Sequence, residues 1–342
     1  MINIGKIIID NKKPPLIIPE MGINHSGSFS KAIEIIRSAK RAGALLIKNQ
    51  THIVNDEYSM EAKKLVPKNA NKNIYDLIKD CSFSIEEEYK LKNFTEKLGM
   101  EYISTPFSRA AVDRLVKLKV KLFKIGSGEF NNIPLIEYVC KQHKPLILST
   151  GMNNLKQIDK TVSILKKYKI KFALNHCTNI YPSNYSQARL NFISKLKKIY
   201  PKTIIGLSDH SSDNLTSYAS IPLGVKMIEK HFVDSKKRKG PDISSSIDEK
   251  GLRELINNSK NIFNALKNKN EILKDEKSVA NFAFASVVAT KDIRKGEILT
   301  KKNIWVKRPG NGDFDASKYY KLLGKKIKKN IKNNTQIKKK DI

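Results

Sequence analysis

The strongest constraint in this sequence is a repeat. Short apolar runs alternate with segments whose apolar residues recur at helical spacing, and each run ends in a polar cluster. Leu16–Ile18 leads to Glu20, Ala44–Ile47 to Lys48 and Gln50, Tyr102–Ile103 to Ser104 and Thr105, and Leu122–Ile125 to Gly126–Glu129. Pro145–Leu148 ends at Ser149–Met152, Phe172–Leu174 at His176–Pro182, Ile204–Leu207 at Ser208–His210, and Met227–Ile228 at Glu229–His231. Strand then helix, eight times in about 265 residues, is the size and period of a (β/α)₈ TIM barrel of the α/β class. A doubly wound open sheet is the main competitor, but no Gly-x-Gly-x-x-Gly follows the first strand. In a barrel every cluster directly after a strand faces one mouth, where active sites form.

The helical segments carry their own punctuation. Phe29–Ala42 closes on Gly43, and the helical segment 84–99 has Ser82 or Ser84 as candidate cap, glutamates in its first turn, and lysine and Gly99 at its close. A long insertion occupies 53–81. Beyond the last helical segment, 248–266, a charged stretch gives way to alternating runs broken by Lys-Gly-Glu and Pro-Gly-Asn-Gly. The expected division is a barrel over 1–267, a linker over 268–284 and a small, mostly β module over 285–342.

Composition narrows the setting. Hydrophobic residues at 40% and charged residues at 29% of 342 describe a soluble globular chain. Cys81, Cys140 and Cys177 form neither a disulfide framework nor a zinc pattern, which fits a reducing cytoplasm. The N-terminal stretch lacks a signal-like apolar core, and no apolar run reaches the roughly 18 residues of a membrane span. The net charge of +32 raises the question of nucleic acid. Lysine is spread over almost every helical segment, so neither a nucleic-acid nor a membrane partner is expected; the field should instead concentrate small anions.

Several mouth positions suit particular chemistry. A single histidine at a strand end is ordinarily a hydrogen-bonded residue, but His210 and His231 hold the same place in successive units, which favours a shared divalent metal. Lys48 and Lys124 supply positive charge, and Thr105, Ser127, Asn179 and Ser208 neutral donors, for a phosphate or carboxylate. Gly126 and Gly128 beside Ser127 let backbone approach such an anion. Glu20, preceded by apolar residues and Pro19, reads as a partly desolvated general base, or alternatively as the ion-pair partner of a mouth lysine. Asp242 is placed to hold a hydroxylated substrate or to support the metal ligands.

The segments around these residues resemble one family throughout the chain. GINHSGS (22–28), KNQTHIV (48–54), STPFSRAA (104–111), KIGSGEFNN (124–132), LSTGMN (148–153), HCTNIYP (176–182), GLSDHS (206–211), KHF (230–232), GPD (240–242), FAFASVVA (282–289) and WVKRPGNGD (305–313) closely resemble bacterial N-acetylneuraminate (sialic acid) synthases. The resemblance implies a barrel with a C-terminal antifreeze-like (SAF) domain, a domain-swapped homodimer, and condensation of phosphoenolpyruvate with N-acetylmannosamine and water. It further implies Mn²⁺ or Mg²⁺ on His210 and His231, Glu20 as base, and a phosphoenolpyruvate site of Lys48, Thr105, Lys124, Ser127, Asn179 and Ser208. Gln50, Asn69, Glu129, Tyr181 and Asp242 match the sugar site, and Arg308 matches the arginine that the SAF domain of one subunit inserts over the N-acetyl group in the other. Pro19-Glu20-Met21 departs from the usual small residue before the glutamate, which touches local packing only.

Two rivals stand beside this expectation. A sibling synthase making legionaminic or pseudaminic acid would use a diacetamido-deoxyhexose, because sugar choice turns on few pocket residues. A non-catalytic basic binding protein built on a barrel would need no metal and would bind nucleic acid with steep salt dependence. The joint presence of Glu20, His210 and His231 argues against the second.

Overall fold

In the computed structural model of the protein, residues 1–67, 70–267 and 271–342 are described. Two compact units divide the chain, Met1–Lys267 and Asn268–Ile342.

The first unit opens with a hairpin, β1 (Ile2–Ile4) and β2 (Ile7–Ile9), followed by eight parallel strands: β3 (Leu16–Glu20), β4 (Leu46–Thr51), β5 (Glu101–Pro106), β6 (Phe123–Ile125), β7 (Leu146–Ser149), β8 (Phe172–Cys177), β9 (Ile204–Asp209) and β10 (Met227–His231). They close in the order β10-β3-β4-β5-β6-β7-β8-β9. Helices α1 (Phe29–Ala42), α2 (Val54–Glu57), α3 (Ile74–Cys81), α4 (Ile85–Lys97), α5 (Arg109–Lys117), α6 (Ile133–Cys140), α7 (Leu155–Lys167), α8 (Asn191–Ile199), α9 (Leu215–Ser220) and α10 (Glu249–Ala265) punctuate them. The insertion at 53–81 contains α2 and α3. Ser84, not Ser82, caps α4: its hydroxyl accepts from Glu87 N while the Glu87 carboxylate accepts from Ser84 N.

Strand alternation sorts the side chains. Ile17, Ile47, Phe123, Ile125, Leu146, Leu148, Leu174, Ile205, Leu207 and Ile228 point outward into the layer packed against the helices. Leu16, Ile18, Leu46, Ile103, Leu122, Ile147, Ala173, Ile204 and Met227 point inward, where Ile2, Ile4 and Ile9 of the hairpin join them as a plug. Read along each strand, the inward positions run from apolar to polar: Leu16, Ile18, Glu20; Leu46, Lys48, Gln50; Leu122, Lys124; Met227, Glu229, His231. The barrel therefore has a closed apolar end and a polar mouth. Gly206 belongs to this interior. A Cβ there would lie 2.8 Å from the Met227 carbonyl oxygen and closer still to Asn175 Oδ1 and Met227 Cγ.

The second unit holds α11 (Glu276–Ala283), the antiparallel pair β11 (Ser286–Ala289) and β12 (Ile304–Lys307), and α12 (Tyr319–Leu322). Its core gathers Val287, Ile293, Leu299, Ile304, Ile327 and Ile337. Helix α11 lies within the stretch read from sequence as linker. Among the described residues, no helix is long and apolar enough to cross a membrane.

Candidate functional site

Four buried charges alternate across the barrel interior. Lys48 Nζ lies 2.6 Å from Glu20 Oε2 and 3.6 Å from Glu229 Oε1, and Lys124 Nζ lies 3.7 Å from Glu229 Oε2. Lys48 also donates to Thr105 Oγ1 at 3.1 Å, and Lys124 to Ser149 Oγ at 2.7 Å and the Ile125 carbonyl at 3.0 Å. Glu20 does pair with a mouth lysine, the alternative left open by its sequence context. Pairing and availability for proton transfer are not exclusive, because the balance differs between the two glutamates.

Burial raises the pKa of Glu20, and it outweighs the opposing pull of Lys48. Burial acts on Glu229 too, but Lys124 and Lys48 together override it and hold Glu229 below the ordinary carboxylate range. The arrangement thus separates a carboxylate that readily takes a proton from one that stays ionised as a counterion.

At the rim, His210 and His231 come together with ring centroids 5.4 Å apart. Tyr181 stacks on His210 at 4.2 Å and meets His231 edge-on at 5.8 Å. His210 Nδ1 donates to the Thr178 carbonyl at 2.7 Å, which leaves Nε2 as the nitrogen with a free lone pair. His231 Nδ1 is buried without a hydrogen-bond partner, 3.8 Å from Asp242 Oδ2. Burial and then Lys48 push His231 down to about 3, so it is neutral. Burial raises Asp242 to about 6 against the pull of His210 and Lys48. A neutral His231 with an orphaned nitrogen, beside a His210 whose Nδ1 is already committed to a carbonyl, is a donor set that fits a divalent cation. Among the described residues no group of three or more His, Cys, Asp or Glu is arranged to hold one. Such an ion would complete its shell with water or substrate oxygens.

The remaining residues divide cleanly. Gln50 Nε2 donates to Glu20 Oε1 at 2.8 Å. Gly22 has φ +51°, and a Cβ there would lie 3.3 Å from Glu20 Oε1, 3.4 Å from Gln50 Nε2 and 3.5 Å from His231 Cε1, so these three side chains converge on one spot. Ser127 and Asn179 meet over Gly151, whose Cβ would fall 2.8 Å from Ser127 Oγ and closer to Asn179 Oδ1. Ser208 Oγ faces Glu229 Oε1 at 3.4 Å. Glu129 accepts from Asn132 Nδ2 at 2.6 Å and is raised by burial. Arg308 belongs to the second unit, exposed just after β12. Asn69 lies outside the described residues.

Glu229, Ser149 and Cys177 enter the site without having been singled out for it. Cys177 Sγ lies 3.3 Å from Asn179 Oδ1. The signal for Glu229 was present: it sits two residues before His231 on one strand, so both must face the same side. Ser149 likewise ends the inward series of β7.

Comparison with known proteins places the chain in a family. Residues 35–271 match the model of the NeuB family, and residues 284–342 that of the SAF domain. An uncharacterised protein of Methanocaldococcus jannaschii is 37% identical over 96% of this chain and 94% of its own length. The N,N'-diacetyllegionaminic acid synthase of Campylobacter jejuni is 34% identical over 95% of this chain and 99% of its own. Among solved structures, an N-acetylneuraminic acid (sialic acid) synthetase from Leptospira borgpetersenii, in complex with citrate, superposes with a TM-score of 0.74 at 31% identity, covering 81% of this chain and 94% of that one.

Proposed function

Since this chain belongs to the NeuB family and carries a SAF domain, we propose that it is a phosphoenolpyruvate-dependent sugar-acid synthase acting on N-acetylmannosamine. The overall reaction joins phosphoenolpyruvate, the aldose and water into N-acetylneuraminate and releases phosphate. One observation carries this reading above the rest: Glu20, Lys48, Lys124, Glu229, His210 and His231 share the inner face of one barrel mouth.

Lys48 and Lys124, with Thr105, Ser127, Asn179 and Ser208, receive the phosphate and carboxylate of phosphoenolpyruvate in a low-dielectric setting where their charge acts strongly. Gln50, Asn69, Glu129, Tyr181 and Asp242 orient the open-chain sugar. A divalent cation such as manganese or magnesium, held by His210 and His231, would supply Lewis-acid polarisation of the aldehyde oxygen. The C2=C3 π pair of phosphoenolpyruvate forms the new bond to the aldehyde carbon, the aldehyde oxygen keeps its π pair and takes up a proton to become a hydroxyl, and C2 is left electron-poor. Glu20 takes a proton from the water that adds at C2, and the tetrahedral centre then breaks its C–O bond to phosphate. In a homodimer, the Arg308 of a second copy would close over the N-acetyl group.

A second reading has its own support. The 34% identity to a diacetyllegionaminic acid synthase over nearly the whole chain favours a diacetamido-deoxyhexose as the aldose. One experiment separates the two. The protein is incubated with phosphoenolpyruvate, Mn²⁺ and either N-acetylmannosamine or a diacetamido-trideoxyhexose, and phosphate release and product mass are measured. Phosphate release with neither sugar overturns both.

A further inference from the structure

A chain of polar side chains runs from Glu20 through Gln50 of β4 into the segment that follows the strand, ending at Glu57 of α2. Gln50 Nε2 donates to Glu20 Oε1 at 2.8 Å, Gln50 Oε1 faces His52 Nε2 at 3.0 Å, and His52 Nδ1 faces Glu57 Oε2 at 2.8 Å. The side chains of His52 and Glu57 are only 4% and 5% exposed. The imidazole lies flat on Phe107, with ring centroids 4.5 Å apart and planes 14° from parallel.

Proton counting along this chain leaves one arrangement. Both oxygens of Glu20 face donors, Lys48 at one and Gln50 at the other. The Gln50 amide must therefore turn its NH₂ toward Glu20 and its oxygen toward His52. An amide oxygen carries no hydrogen, so the proton in that contact sits on His52 Nε2. At the far side Nδ1 meets the Glu57 carboxylate, and of an imidazole and a carboxylate the imidazole is the stronger base. The second proton is therefore assigned to His52 as well. Few other titratable groups face the pair: Tyr58 and Glu129 on the side of Glu57, and His25 on the side of His52. Burial first, and then His52, push His25 down to about 3, so it stays neutral and does not compete for the charge. A flat stack on Phe107 suits a cationic ring.

We propose that His52 is a buried imidazolium, locked by Glu57, that sets the direction of the Gln50 amide and thereby holds Glu20 ready as a carboxylate. His52 is then a positioning residue, two hydrogen bonds from the reacting atoms. The proposal rests on the assignment of Glu20 as base made above. It adds a specific charge state and a specific orientation that the family assignment does not contain.

Two kinds of measurement test it. In the full-length protein labelled with ¹⁵N-histidine, the His52 resonances are identified by their loss in His52→Phe. At pH 7 they are expected to show both ring nitrogens protonated; a bare Nε2 overturns the proposal whatever Glu20 does. In kinetics, His52→Phe keeps a ring on Phe107 but frees the Gln50 amide to turn its oxygen toward Glu20. Loss of that donor raises the Glu20 pKa further, so the acid limb of kcat/KM should move up by about one pH unit, with kcat down about 10-fold. His52→Gln returns an NH donor to Gln50 and should recover much of this loss. Glu57→Gln keeps Nε2–H while removing the charge, and should retain turnover while losing the imidazolium signature. An unshifted acid limb in His52→Phe overturns the positioning role. A doubly protonated His52 in a protein whose Glu20→Gln variant turns over normally removes Glu20 as base and leaves the hydrogen-bond chain standing, so the two failures read separately.

Discussion

Lys230 and Asp209 face each other across β9 and β10 in direct register, with Nζ 3.1 Å from Oδ2, each one residue before a rim histidine. Alternation turns this pair outward from the barrel while His210 and His231 turn inward. Lys230 also donates to the Ser211 carbonyl at 2.7 Å, and Asp209 accepts from Thr216, Ser217 and the Ser211 amide. The pair is a clamp on the two strands that carry the imidazoles.

Breaking the clamp on one side should cost more than its net worth. Lys230 is 0% and Asp209 3% exposed at the side chain, so Asp209→Asn strands a buried ammonium and should cost about 3–5 kcal/mol. Burial pushes Asp209 up, but Lys230 and the hydroxyl and amide donors outweigh it, and its pKa falls below 3.8. The carboxylate's contribution is thus complete above 3.8 and lost only as pH falls through the lower native value. Urea unfolding of both proteins at pH 7 and at low pH checks this, and a variant as stable as the parent at pH 7 excludes the clamp.

Glu20→Gln should lower kcat by about 10²–10⁴ while phosphoenolpyruvate binding stays measurable by calorimetry. A base works only when ionised. Because burial lifts Glu20 above 4.5, activity should be full above that raised value and fall as pH drops through it. A parent profile that remains flat down to the ordinary carboxylate range removes Glu20 from the role.

Gly206→Ala tests the crowding of the barrel interior. The added methyl meets the Met227 carbonyl oxygen as well as the Asn175 and Met227 side chains, so a side-chain shift alone cannot relieve it. Overpacking of this kind should cost about 1–3 kcal/mol, read as a lower urea midpoint at unchanged slope. Equal stability would mean that the Asn175 and Met227 contacts are looser than they stand.

Chelation should abolish turnover and added Mn²⁺ should restore it. His231→Ala should weaken Mn²⁺ binding to the stripped protein by at least about 10-fold, measured by calorimetry without substrate. Undiminished Mn²⁺ binding would separate the imidazole pair from the ion.

Arg308→Ala should raise the KM for the aldose about 10-fold and leave that for phosphoenolpyruvate within about two-fold. Mixing it with Glu20→Gln protein tests the arrangement across two copies: recovered activity in the mixed dimers supports it, and strictly additive loss counts against it.

Periodicity alone made the barrel legible, because eight apolar runs each ending in polar residues have few ways to close, and every strand end must then share a rim. His210, His231, Lys48, Lys124 and Glu20 could be named from that rule together with the chemistry of their side chains. The N-terminal hairpin could not: Ile2, Ile4 and Ile9 look like any short apolar stretch until the open end of a barrel exists for them to fill. Nor could the order of the buried charges. Composition states how many lysines and glutamates there are, but pKa depends on distance and burial, so only the closed barrel decides that Lys48 is shared and that Glu229 keeps its charge while Glu20 is primed to take a proton.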